Sequence, residues 1–109
     1  MNTAKFNKRY RELLAQERAM VATKGEEYST NEDRFSNFHA AVALQVPGTT
    51  PEGAAWNMMS KHLEAAMFGL RQLSQGVPPS QDFWDEKLGD IIVYTRLIQI
   101  MTQERNGVV

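Results

Sequence analysis

Glu86 and Asp90 are the residues whose type and spacing most directly suggest chemistry in this chain. They are four residues apart in a segment of helical periodicity, so both carboxylates lie on one helical face. The same face continues through apolar residues at 93, 94, 97 and 101, which a small protein normally turns inward. Because an ionised group is costly to remove from water without a partner, we expect something positive beside this pair.

Two kinds of positive partner remain open for these carboxylates. A divalent metal ion would make the pair part of a binding or catalytic site. Alternatively, the pair has a structural role and meets a basic side chain of another helix, such as Arg34, Lys61 or Arg71.

Lys61 and His62 form a second candidate feature, in the middle of another predicted helix. His62 lies at the edge of the apolar face of that helix, whereas Lys61 lies off it. A histidine in such a position is commonly a structural residue. If Lys61 faces the same cleft as Glu86, it becomes a counter-ion or a donor to phosphate.

A charged segment that also carries aromatic residues, residues 24–38, is the third feature. The aromatic faces of Tyr28 and Phe38 can stack on a nucleobase, and the Asn37 amide can read its edge. Lys24 and Arg34 can meet phosphate. The alternative is a plain surface loop anchored by its phenylalanines.

Four helices are predicted to position these residues. The first ends at Lys24-Gly25, where glycine supplies the left-handed conformation of a helix C-terminus, and the third begins at Thr50-Pro51 with a hydroxyl cap. Gly76 ends the third helix, and Ser80 begins the fourth. The approximate ranges are 4–23, 34–44, 51–75 and 81–105.

The pattern therefore predicts an all-α fold, a small helical bundle of three long helices and one short helix. We expect one domain covering residues 1–109. The last helix is apolar on a second side as well, at Trp84, Leu88, Ile91 and Ile98. A helix apolar on two sides is either central in a bundle or shared between subunits, so we expect a homo-oligomer.

Composition excludes several classes of function. The net charge of −1 and the dispersed basic residues give no footprint for a nucleic acid polymer. The absence of cysteine excludes disulfides, thiolate metal sites and a cysteine nucleophile. No apolar run is long enough for a membrane span and no leader pattern opens the chain, so we expect a cytoplasmic protein without a membrane partner.

The segment from Glu86 to Ile92, Glu-Lys-Leu-Gly-Asp-Ile-Ile, resembles the Glu-Glu-Leu-Gly-Asp-Leu segment of the MazG-like, all-α nucleoside triphosphate pyrophosphatase superfamily. Residues 24–29 and 33–38, together with Lys61-His62, are similar to small phage-type proteins at the edge of that superfamily. The likeness covers roughly residues 24–100.

The resemblance implies binding of a nucleotide or related phosphorylated small molecule with Mg²⁺, and release of pyrophosphate by hydrolysis. Carried over, Glu86 and Asp90 are metal ligands, and Glu27 and Asp33 are candidate additional ligands from the loop. Lys87 stands where the family has its nearer acid, and the family's partner helix Glu-Glu-x-x-Glu is missing. The alternative is therefore a non-catalytic nucleotide-binding or host-regulatory phage protein on the same scaffold, and no catalytic residue is assigned.

Overall fold

The described part of the chain forms four α-helices. A computed structural model describes residues 1–27, 34–43 and 49–108, except for the side chains of residues 25 and 27. No residue in these ranges lies in a β-strand, and the prediction of a small all-α bundle of three long helices and one short helix is confirmed. The helices are α1 (Thr3–Glu27), α2 (Ser36–Val42), α3 (Pro51–Ser74) and α4 (Gln81–Arg105).

The predicted start signals of α3 and α4 are confirmed. The Thr50 hydroxyl accepts a hydrogen bond from Gly53 N at 3.1 Å, and the Ser80 hydroxyl accepts one from Phe83 N at 3.2 Å. Each hydroxyl satisfies a backbone donor that has no partner within the helix. Gly76 follows α3 with φ at +78°, the left-handed conformation that glycine adopts without strain.

The prediction that Lys24-Gly25 ends the first helix is wrong, because α1 continues to Glu27. A glycine inside a helix costs only about 1 kcal/mol relative to alanine, so it weakens a helix without stopping it. Tertiary contacts of the last turns can offset that cost, and Lys24 reaches Asp90 on α4.

The core lies between α3, α4 and the short α2. Helices α3 and α4 are antiparallel, since Glu52 near the start of α3 pairs with Arg105 at the end of α4. Phe38 of α2 is fully buried and packs with its edge toward the Tyr94 ring of α4. The other buried members of this cluster are Phe35, Ala55, Met59, Val93, Leu97 and Met101.

Helix α1 packs on α4 through its second half. Met20 lies against Gly89, where a Cβ atom would come within 3.0 Å of the Met20 sulfur. The Cα radius of gyration is 16.3 Å, whereas about 13 Å is typical of a compact chain of this length. None of the helices in the described ranges combines the length and apolar character that a membrane span requires.

Candidate functional site at the junction of three helices

Three helices contribute one ionisable side chain each to a single junction. Asp90 projects from α4, Lys24 from the last turns of α1, and His62 from the middle of α3. We call these three residues the Asp90 junction. The sequence singled out all three residues, but as members of separate features, and the tertiary structure brings them together.

The Asp90 carboxylate is sheltered and only loosely paired. Its side chain is 16% exposed, and the Lys24 ammonium lies 3.8 Å from Oδ1 while His62 Nδ1 lies 3.4 Å from Oδ2. Tight charge-assisted hydrogen bonds between nitrogen and carboxylate oxygen are about 2.7–2.9 Å long. The carboxylate therefore has a nitrogen neighbour beside each oxygen without a short bond to either, and 16% of its side chain remains exposed.

Aromatic rings form the inner wall of the Asp90 junction. The His62 ring lies 5.7 Å from the Tyr94 ring, centroid to centroid, with 30° between the planes. Tyr94 in turn meets the edge of Phe38 at 6.3 Å. Packing against these rings restricts the rotamers of His62, so that its Nδ1 atom is held toward Asp90.

Glu86 departs from the expectation that both carboxylates turn inward. Its side chain is 67% exposed, and its neighbour is the Lys87 ammonium at 3.5 Å. Glu86 lies eight residues before Tyr94, about 12 Å along the helix axis, and therefore away from the contact that Tyr94 makes with Phe38 of α2. The inward orientation is confirmed for Asp90 and wrong for Glu86.

The side chains of the Asp90 junction can be compared with the ligands that Mg²⁺ prefers. Mg²⁺ takes oxygen ligands and commonly uses one or two carboxylates together with waters and phosphate oxygens. Within the described ranges, no group of three acidic or histidine side chains is placed to hold a metal ion. Asp90 fits such an ion as one carboxylate ligand, provided that a phosphorylated ligand supplies further oxygens.

The other predicted site residues are distributed over different parts of the fold. Lys61 is exposed and lines a groove of about 580 Å³ with Phe68, Arg71 and Phe83. Phe38 lies in the core, where its ring packs on Tyr94 and presents no exposed face for stacking on a base.

Arg34 and Asn37 are exposed, one before α2 and one within it. Glu27 is the last residue of α1, and its side chain lies outside the described part of the structure. Tyr28 and Asp33 also lie outside the described residues. Their predicted roles therefore stay predictions.

Sequence reasoning missed the contribution of Tyr94 to the junction. The sequence pattern places Tyr94 on the apolar face of α4, and because it follows Asp90 by four residues it lies beside that residue on the same face. This spacing could have identified it as a neighbour of the carboxylate. The contact with the His62 ring depends on how α3 packs on α4, which no local pattern specifies.

The sequence also did not predict a second contact between α1 and α4, an ion pair. Arg96 Nε donates to Glu17 Oε1 at 2.7 Å, and this hydrogen bond, together with the charge of Glu17, raises the pKa of the Arg96 guanidinium. The two residues are 79 positions apart in sequence. The pair helps to fix where α1 crosses α4 and thereby where Lys24 meets Asp90.

No family model, curated protein or solved structure matches the chain. The Asp90 junction, with its side chains at defined distances, is the feature of the described structure on which a proposal of function can rest.

Proposed function

We propose that this chain is a MazG-like, all-α domain that binds a nucleotide or related phosphorylated small molecule together with Mg²⁺ at the Asp90 junction. The observation that carries the proposal is the partly buried Asp90 carboxylate, which has nitrogen neighbours at 3.4 and 3.8 Å. The carboxylate and the two nitrogen atoms come from three different helices. Both nitrogens lie beyond the length of a tight charge-assisted hydrogen bond and the Asp90 side chain is not fully covered, which supports a role in ligand binding.

The charges of the junction support an anionic ligand that brings a cation with it. Lys24 is 38% exposed, so its ammonium can contact a phosphate without leaving Asp90. Asp90 would supply one carboxylate ligand to the metal ion, and phosphate oxygens are a second kind of ligand that Mg²⁺ accepts. When bound, Mg²⁺ would neutralise part of the phosphate charge.

The residues of the chain itself have distinct parts in this proposal. Asp90 would hold the ion, Lys24 would bind phosphate, and His62 lies beside the carboxylate from α3. Lys61, Arg34 and the residues of the 28–33 segment remain candidates for contacts with the rest of the ligand. No residue is assigned as the catalytic base.

A thermal-shift and calorimetric titration tests the proposal. Mg²⁺ with a panel of nucleoside mono-, di- and triphosphates is expected to raise the melting temperature, whereas Mg²⁺ alone has little effect because one carboxylate binds it weakly. Asp90→Asn should weaken ligand binding by at least about tenfold, the loss of one charge-assisted contact.

Asp82→Asn is the matched control for this experiment. It makes the same change on the same helix, at an exposed position of the first turn. It should leave the ligand-induced shift intact. A full nucleotide panel without any shift, or equal losses for the two variants, would contradict the proposal.

The second candidate function is binding without hydrolysis, as in a sequestering or host-regulatory phage protein. The exposed position of Glu86 favours it, because two converging carboxylates are what a hydrolytic metal site would use. Product analysis separates the two functions. The chain is incubated with nucleoside triphosphates and Mg²⁺, and the products are separated by chromatography. Pyrophosphate appears if the chain hydrolyses the nucleotides, whereas the nucleotide stays intact and bound if the chain only binds it.

A further inference from the structure

Lys87 of α4 lies beside the Asp90 junction, and its surroundings differ from those of an ordinary surface lysine. It stands three residues before Asp90, so the two side chains lie on one face of the helix with Cβ atoms about 5–6 Å apart. The Lys87 side chain is only 24% exposed, whereas that of Lys24 is 38% exposed. Lys87 is therefore partly covered next to the junction rather than extended into solvent.

The ion pair that Lys87 makes within the described part of the chain is a weak one. Its Nζ atom lies 3.5 Å from Glu86 Oε1, and the Glu86 side chain is 67% exposed. Water screens such a largely exposed pair, so it contributes little to stability. An ammonium group has three donors, and one long hydrogen bond to Glu86 leaves it with the capacity to bind an anion.

The packing of the helices places Lys24 and Lys87 on two different sides of Asp90. Lys87 follows Phe83 by four residues, so it shares the face of α4 on which the Phe83 ring packs against α3. Lys24 comes from the side of α1, which packs on α4 at Gly89. The two ammonium groups therefore flank the carboxylate.

The described side chains around Asp90 carry more positive than negative charge. Lys24 and Lys87 are cations, and the Glu86 carboxylate is mostly in solvent, where its field is screened. Position 87 is one turn from Asp90, where a second carboxylate could share a metal ion with it, and a lysine stands there instead. These charges favour an anion as the first group to be bound.

We propose that Lys87 is a second phosphate-binding residue, and that Lys24 and Lys87 together bind a phosphate-containing anion even without a metal ion. Lysine binds phosphate as a point charge. Because the two ammonium groups flank Asp90, they suit a ligand with at least two phosphate groups, one for each lysine. The inference rests on the proposed function, since it specifies the ligand class of the same site, with Mg²⁺ arriving as a companion of the phosphates.

Isothermal titration calorimetry with sodium pyrophosphate in EDTA, at constant ionic strength, tests this inference. The wild-type chain should bind pyrophosphate without a divalent metal ion, and orthophosphate more weakly. Lys87→Gln should weaken pyrophosphate binding by about tenfold, the loss of one charge-assisted contact. Lys87→Arg keeps the charge and should retain most of the affinity.

Lys8→Gln is the matched control for this titration. It removes the same charge at an exposed position of α1, sixteen residues before Lys24 and so about 24 Å away along the helix axis. It should leave pyrophosphate binding unchanged. Equal losses for Lys8→Gln and Lys87→Gln would show a response to net charge alone and would overturn the inference.

Two further variants should change the affinity in the opposite direction. Asp90→Asn removes a carboxylate that repels the anion, so it should tighten pyrophosphate binding in EDTA by about threefold. The same variant should weaken the binding of nucleotide with Mg²⁺. Glu86→Gln removes the acceptor that competes for Lys87 and should also tighten pyrophosphate binding. If Lys87 served only its pair with Glu86, Glu86→Gln and Lys87→Gln would act alike, and the inference would be wrong.

The outcomes separate this inference from the proposed function. Binding of nucleotide with Mg²⁺, but no binding of pyrophosphate in EDTA, would overturn the inference and leave the proposed function standing. No binding under either condition would overturn both. Pyrophosphate binding in EDTA that Lys87→Gln weakens and Lys8→Gln preserves, with helices retained by far-UV circular dichroism, is the expected result.

Discussion

His62 Nδ1 lies 3.4 Å from Asp90 Oδ2, so the middle of α3 meets the third turn of α4 through a polar contact at the edge of an apolar core. The Tyr94 ring packs beside His62 and restricts its orientation. Lys24 approaches the other carboxylate oxygen from α1. The Asp90 carboxylate of α4 thus lies next to side chains from both α1 and α3, which are distant from it in sequence.

This relationship predicts energetic coupling between His62 and Asp90. In a double-mutant cycle of His62→Ala and Asp90→Asn, the interaction term in the free energy of unfolding should be about 0.5–1 kcal/mol, typical of a partly exposed pair. The measurement is urea unfolding followed by circular dichroism. Lys61→Ala combined with Asp90→Asn is the control and should give additive losses, because Lys61 lines a different groove. Equal coupling in both cycles would contradict the assignment of the pair.

Two helical glycines should respond differently to substitution by alanine. At Gly69, a Cβ atom would lie 2.6 Å from the Phe83 ring and 3.0 Å from Trp84, and these two rings already pack on each other. Overpacking should cost Gly69→Ala about 1–3 kcal/mol and helix propensity returns ~1 kcal/mol, so the variant should have a net loss of up to about 2 kcal/mol in the free energy of unfolding.

At Gly89, the atom that a Cβ would meet is the Met20 sulfur at 3.0 Å, which lies on a flexible side chain. Gly89→Ala should therefore leave the free energy of unfolding within about 1 kcal/mol of wild type, because the thioether can move while helix propensity improves. Denaturant titration of both variants measures the difference. A larger loss in the free energy of unfolding for Gly89→Ala than for Gly69→Ala would contradict this prediction. It would show that the contact of Gly69 with the rings of Phe83 and Trp84 is not the less tolerant of the two.

The burial of Phe38 predicts a large loss on truncation. Phe38→Ala empties a fully buried site between α2 and Tyr94 and should cost about 3–5 kcal/mol. Phe68→Ala removes the same side chain from a position that is 60% exposed and should change stability by no more than about 0.5 kcal/mol. Thermal unfolding at equal protein concentration compares them. Similar losses for the two would mean that α2 is not part of the cooperative core.

The link between the ends of α3 and α4 predicts a salt-dependent contribution. Arg105 Nη2 lies 3.0 and 2.8 Å from the two oxygens of Glu52. Glu52→Gln should lower stability by about 0.3–1 kcal/mol at low ionic strength, and the loss should shrink in about 1 M salt as the charges are screened. Asp82→Asn, at an exposed site in the first turn of α4, controls for general charge effects. A loss that salt does not reduce would show that the contact is not electrostatic.

The sequence was sufficient to predict the helices and most of their ends. Thr50 and Ser80 have the hydroxyl that caps a helix, and Gly76 can adopt positive φ without strain, so local chemistry specifies these boundaries. Gly25 shows the limit of such reasoning. Its weak intrinsic preference against helix does not prevent α1 from continuing to Glu27.

Local spacing also placed Asp90 and Glu86 on one face of α4, but it could not tell which of them is covered. Coverage depends on where α2 and the end of α1 lie along α4, and these contacts join residues that are far apart in the chain. For the same reason the sequence could list Lys24, His62 and Asp90 without showing that they meet.

What the sequence alone determined is therefore the set of helices, their caps and the identity of the ionisable residues, because these follow from interactions within a few residues. Tertiary structure alone decided that Asp90 is sheltered and Glu86 exposed, that Tyr94 packs beside His62, and that the first turns of α1 remain exposed. Those outcomes depend on how the helices cross, and crossing geometry is set by the packing of complete side-chain surfaces rather than by local pattern.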